Sequence, residues 1–114
     1  MKYGLKDETI RKIRSVFAKH PEVEQAIVYG SRAKGNYKAG SDIDLALRGG
    51  HELGMAVPHR IMDEIDDLLL PCTVDVSILR LIEDPQMLDH IGRVGAVFYD
   101  KSAKTEEPAA ERGV

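Results

Sequence analysis

One cysteine, Cys72, is all the chain has. That excludes an internal disulfide and any cysteine-cluster zinc site, and it suits a reducing compartment. A basic excess is also missing: 16 Lys and Arg stand against 19 Asp and Glu, a net charge of −3. A protein that grips long nucleic acid by charge alone carries the opposite balance, so strong nucleic-acid binding is not expected. A small anionic ligand remains compatible. No apolar run approaches a membrane span, and the opening MKYGLKDETIRK has no signal-peptide core. No membrane contact and a cytoplasmic location are therefore expected. Internal repeats are absent too. What is present is 43% apolar and 31% charged residues over 114 positions, enough for one compact domain around one core.

Periodicity predicts a first helix over 7–20, with Ile10, Ile13, Val16 and Phe17 on one face and Pro21 just beyond. VEQAIVYG reads as a strand ending at Gly30, followed by a turn rich in glycine and cations over 31–41, with a short helix starting at Ser31. DIDLALR is the clearest strand: Ile43, Leu45 and Leu47 point one way, Asp42, Asp44 and Ala46 the other. After Gly49-Gly50 a helix is predicted over 55–69, with Met55, Ile61, Met62, Ile65, Leu68 and Leu69 as its apolar stripe and Pro58 in its first turn. TVDVSIL is the next strand, with Asp75 and Ser77 on its polar face. Asp84-Pro85 reads as an N-cap and first helical residue of a short helix, and AVFY as a last edge strand. Residues 1–100 form the expected domain and 101–114 a polar tail. The order α-β-β-α-β-α-β predicts an α+β fold: a small sheet with helices packed on one face and the other face open. The open face carries all three strand aspartates.

Asp42 and Asp44, at i and i+2 of one strand, share a face with Cα atoms about 6.5–7 Å apart. Asp75 joins them if its strand pairs alongside. Three clustered carboxylates repel one another, and a divalent cation removes that penalty. With no histidine or cysteine in the cluster, a hard ion is favoured, Mg²⁺ or alternatively Mn²⁺. Magnesium held by few carboxylates completes its shell with water and phosphate oxygens. Gly30-Ser31 suits a phosphate: glycine lets the backbone approach, and serine offers a hydroxyl and an N–H. Arg32, Lys34 and Lys38 add positive charge nearby, with Arg32 the foremost phosphate candidate.

Other motif readings fail. Gly30 to Gly35 has the glycine spacing of a P-loop, but Asn36-Tyr37 follows where Lys-Ser/Thr is needed. No G-x-G-x-x-G is present there, and Leu45 and Leu47 refuse an EF-hand loop. Gly30, Ser31, ten intervening residues, then Asp42 and Asp44 instead match the G-S/D-x-D signature of the polymerase-β-like nucleotidyltransferase superfamily. The stretch GSRAKGNYKAGSDIDLAL resembles its smallest branch, the minimal nucleotidyltransferases (MNT), and the element order extends the resemblance over residues 7 to 100.

The resemblance implies that Gly30 and Ser31 hold the β/γ-phosphates of a nucleoside triphosphate, with Asp42 and Asp44 ligating both of two Mg²⁺ ions. It implies that Asp75 ligates the catalytic metal and helps deprotonate the acceptor hydroxyl. It further implies transfer of a nucleoside monophosphate, AMP from ATP, to a hydroxyl. Larger members carry helical domains that help bind base and acceptor; none is legible here, so the missing surface is expected from a partner, from self-association as a homo-oligomer, or from the acceptor itself. MNT proteins work with small all-helical HEPN or substrate-binding proteins, commonly as antitoxins that place AMP on a tyrosine of the HEPN toxin. Two alternatives share these residues: a two-protein nucleotidyltransferase acting on a small molecule, and a non-catalytic nucleotide-binding module that sequesters its partner. His20, His51, His59 and His90 are scattered and receive no role; Tyr37 reads as an ordinary loop residue, Cys72 as a buried filler, and Asp63 to Asp67 as the wet face of a helix.

Overall fold

The computed structural model describes residues 2–38 and 40–103. Helix α1 (Asp7–Ala18) opens with Asp7 and Glu8, whose charges suit its N-terminal dipole, and buries Ile10, Ile13, Val16 and Phe17. Strand β1 (Gln25–Tyr29) leads through Gly30 into the one-turn helix α2 (Ser31–Lys34), and β2 (Ile43–Arg48) follows. Helix α3 (Ala56–Asp66), strand β3 (Val74–Ile78), a 3-10 turn (Leu79–Leu81), helix α4 (Pro85–Val94) and strand β4 (Ala96–Asp100) complete the order.

The four strands form one mixed sheet in the order β3-β2-β1-β4. Only β2 and β3 run parallel; β1 is antiparallel to both its neighbours. This is the expected α+β architecture with one small mixed sheet. On the back face, Ala26, Val28, Ile43, Leu45, Leu47, Val76 and Ile78 meet the apolar stripes of α1 and α3 in one cluster. A register shift between Ala26 and Ile27 adds a residue to β4, so Phe98 and Tyr99, neighbours in sequence, both reach this core. Phe17 packs edge-on to Phe98 with ring centroids 6.4 Å apart. His20, buried at the end of α1, lies 3.2 Å from each Glu64 oxygen and clasps α1 to α3. Glu64 is therefore a structural partner rather than part of a solvated face.

Two differences from the sequence expectation matter. Helix α4 does not join α1 and α3 on the back. Its Ile91 packs with Tyr29 and Ala46 on the front face, beside Ile27, Leu79 and Ile82. The apolar stripe of α4 needs a seat, and the front of β1 is itself apolar, so α4 covers part of that face. Helix α3 also ends at Asp66 rather than near 69. Leu69 turns left-handed (φ 56) and is 88% exposed, and Met55 at the other end is 65% exposed. Neither belongs to the buried stripe; Leu68 and Leu70 pack against the core instead. Cys72 is half-buried rather than buried. Of the expected tail, Lys101–Ala103 forms a 3-10 turn anchored by Lys101 N–H donating to Glu24 O at 2.9 Å; the remainder lies outside the described residues.

Candidate active site: three aspartates beside a glycine–serine turn

The parallel register sets Asp44 of β2 directly beside Asp75 of β3, and the antiparallel register sets Tyr29 of β1 on its other side. Paired residues share a face, so both aspartates and Tyr29 stand together on the front. Asp42 occupies the position just before β2. It is exposed, and its Oδ1 accepts a short hydrogen bond from the Thr73 hydroxyl, while Ile43 N–H donates to Thr73 O at 2.9 Å. The mouth of the β2–β3 pair is tied together there.

Gly30 joins β1 to α2 with φ 78 and ψ −158, a conformation essentially reserved for glycine. A Cβ on Gly30 would also collide with the carboxylate of Asp44. The glycine of the motif is therefore needed twice, for the turn and for the approach to the acid. Ser31 is the first residue of α2, half-buried beside that turn.

A cleft of about 430 Å³ opens here, walled by Tyr29, Gly30, Asp44 and Asp75 from the sheet and by Asp84, Gln86, Met87 and His90 from the start and inner side of α4. His90, given no role from sequence, accepts a hydrogen bond from Gly30 N–H on its Nε2 at 3.0 Å. Its ring stands edge-on to Tyr29, 6.2 Å away. The helix that carries it is capped as the sequence predicts, Asp84 accepting from Gln86 N–H at 3.0 Å behind Pro85.

Electrostatics mark the cleft as under strain. Partial burial first, then the charges of Asp75 and Asp42, push the Asp44 carboxyl above the usual aspartate range, against a smaller opposing pull from His90. Burial also raises Tyr29, partly offset by its hydrogen bond with Ser77 and reinforced by Asp44 and Asp75, so the phenol keeps its proton. Among the described residues, no three His, Cys, Asp or Glu side chains are drawn tightly enough around one point to hold a metal ion as they stand. The donor set nonetheless fits a hard divalent cation: it is all oxygen, and the repulsion felt by Asp44 is what such an ion removes.

Arg32 is placed differently from its sequence-based expectation. It does not wall the cleft. It is only 5% exposed, donating through Nε to Ser41 O at 3.0 Å and through Nη1 to Tyr3 O at 2.8 Å, with its guanidinium 5.2 Å from the Tyr37 ring centroid. These contacts brace the loop ahead of Asp42 against the N-terminal turn, and they engage Tyr37 as well. Of the expected residues the fold thus gathers Gly30, Asp44 and Asp75 in one cleft, couples Asp42 to them by charge, and seats Ser31 next to Gly30. Tyr29, Thr73 and His90 are the additions that sequence reasoning missed.

The family model described as Polymerase beta, Nucleotidyltransferase matches residues 11–104. The chain belongs to that nucleotidyltransferase family. No curated protein matches its sequence. Among solved structures, the nucleotidyltransferase is similar to a chain of a toxin-antitoxin with AMP-PNP, at 18% identity and TM-score 0.64 over 96% of this chain and 94% of that one. It is also similar to a chain of the toxin-antitoxin MntA-HepT, at 16% identity and TM-score 0.62 over 95% and 93%. A third is a tri-AMPylated Shewanella oneidensis HEPN toxin in complex with MNT antitoxin, at 16% identity and TM-score 0.62 over 96% and 93%. At such identities the likeness establishes the fold, here that of minimal nucleotidyltransferases. No helix among the described residues is long and apolar enough to cross a membrane.

Proposed function

We propose that this nucleotidyltransferase is a cytoplasmic, Mg²⁺-dependent protein adenylyltransferase that moves AMP from ATP to a tyrosine hydroxyl of a small helical HEPN-type partner, and that it serves as the antitoxin of the pair. The observation that carries the reading is the register pairing of Asp44 with Asp75 beside the Gly30 turn, with Asp42 close enough for its charge to be felt at Asp44. A bound divalent metal supplies charge neutralisation for the phosphates and a lowered acceptor pKa; Asp42, Asp44 and Asp75 would hold it.

The chain's own residues divide the remaining work. Gly30 brings its backbone up to the triphosphate without a side chain in the way, and Ser31 donates its hydroxyl to a phosphate oxygen. The acceptor oxygen attacks the α-phosphorus, the bond from that phosphorus to the bridging oxygen breaks, and pyrophosphate leaves. Asp75, the more exposed of the paired aspartates, takes the acceptor's proton. Neighbouring structures support the choice of donor and acceptor, since one is a toxin-antitoxin with AMP-PNP and another holds a tri-AMPylated HEPN toxin.

Incubation with labelled ATP, Mg²⁺ and the HEPN-type partner is expected to label the partner. The Asp42→Asn/Asp44→Asn double variant should lose more than about a hundredfold of that labelling, since even outer partners of metal ligands are worth 10–100-fold. Equal labelling by wild type and double variant would end the enzyme reading.

A further inference from the structure

Outside the cleft, a groove of about 450 Å³ runs between α1, the loop after α2 and the segment that follows α3. Leu69 stands on its edge with two local penalties. Its φ of 56 is a backbone state that disfavours any side chain and that helix ends normally give to glycine. Its side chain is 88% exposed. The turn closes the helix end, Leu69 N–H donating to Asp66 O at 3.1 Å, but it leaves the side chain outside the core that Leu68 and Leu70 join. Around Leu69 the groove offers apolar wall from Leu5, Leu70 and Pro71, and its exposed charges are Lys6 and Lys38, with Lys12 paired to Glu8 at 3.4 Å.

The groove is also wired to the catalytic side. One wall contains Tyr37, Lys38 and Gly40, two residues short of Asp42. The other ends at Cys72, and the next residue, Thr73, donates its hydroxyl to Asp42. Whatever fills the groove touches both segments that position a candidate metal ligand.

We infer that this groove is the docking seat of the acceptor protein, taking a bulky apolar side chain from a segment whose carboxylates meet Lys6 and Lys38. The charge balance of the rim selects an acidic occupant, and the exposed Leu69 supplies the apolar anchor. This deepens the proposed function and rests on it for the partner's identity: the occupant is the same protein that presents the hydroxyl.

The test titrates the HEPN-type protein of the same genome against wild type, Leu69→Gly and Lys6→Glu/Lys38→Glu, reading binding directly and AMP transfer separately. Leu69→Gly is expected to weaken partner binding tenfold or more, while its thermal midpoint stays level or rises and its affinity for a fluorescent ATP analogue with Mg²⁺ is unchanged. The charge-reversal variant should weaken binding similarly and flatten its salt dependence. Unchanged partner binding in both variants overturns the groove, as does a wild-type homodimer that Leu69→Gly dissociates without loss of partner binding. A wild type that binds no partner overturns groove and function together. A partner that binds through Leu69 but receives no AMP retires the function and leaves the groove standing.

Discussion

The two faces of one strand, β2, show how this molecule divides its tasks. Ile43, Leu45 and Leu47 point to the back and are fully buried among α1, α3 and the neighbouring strands. Asp44, between them in sequence, points to the front beside Asp75, whose charge adds to the cost of ionising Asp44. The back gains stability from burial; the front gives some of it up to hold like charges together. The candidate site is built where the fold is least comfortable, and the back-face core is what makes that tolerable.

That contrast can be broken from either side. Leu45→Ala removes a fully buried side chain and should cost about 2–5 kcal/mol, read as a large drop in thermal midpoint with little change in the metal response of the molecules that remain folded. Arg32→Ala tests which side of the division that residue serves. Loss of its bonds to Tyr3 O and Ser41 O should cost about 1.5–3 kcal/mol while the KM for ATP stays within a factor of about three, well under the tenfold that 1.4 kcal/mol of lost binding produces. A rise in KM of tenfold or more with stability intact would return the guanidinium to the phosphate.

Gly30→Ala strikes the junction of the two faces. The glycine-only backbone and the contact with Asp44 predict a loss of about 1–3 kcal/mol, with nucleotide binding impaired beyond what the lower midpoint explains; a variant of full stability and activity would contradict the geometry. The smallest effect has the opposite sign. Asp75→Asn removes one of the charges that raise Asp44, so the metal-free protein should become more stable by about 0.5 kcal/mol, roughly 2–4 °C, while losing activity.

The pH dependence follows from the same shift. Asp44 is raised in the folded state, so the folded protein binds more protons than the unfolded chain between the ordinary aspartate pKa and the raised one. Its contribution therefore declines as pH climbs through that window, and the penalty is complete above it. Thermal melts in chelator should show this slope, and Mg²⁺ at neutral pH should raise the midpoint of wild type but not of the Asp42→Asn/Asp44→Asn variant.

Much of the site was legible because its parts are local. The i, i+2 alternation of Asp42 and Asp44 and the turn at Gly30-Ser31 are properties of short stretches, and so is the Asp84-Pro85 helix start. Asp75 could be placed on the correct face by alternation alone, but its register opposite Asp44 needed the β2–β3 pairing. His90 and Thr73 were invisible for a related reason: each meets the site across a large sequence separation, 60 residues to Gly30 and 31 to Asp42. Arg32 shows the reverse. Adjacent to the motif in sequence, it is carried by α2 into contacts with Ser41, Tyr3 and Tyr37.

Chain order and alternation were enough to determine which residues are candidates for the chemistry, since period-two strands and a glycine turn are written into neighbouring positions. Which groups surround them was decided only in three dimensions. The seating of α4 on the front, the His90 bond to Gly30 and the outward turn of Leu69 depend on which apolar stripe finds which sheet face, and that competition is settled by packing of the whole domain.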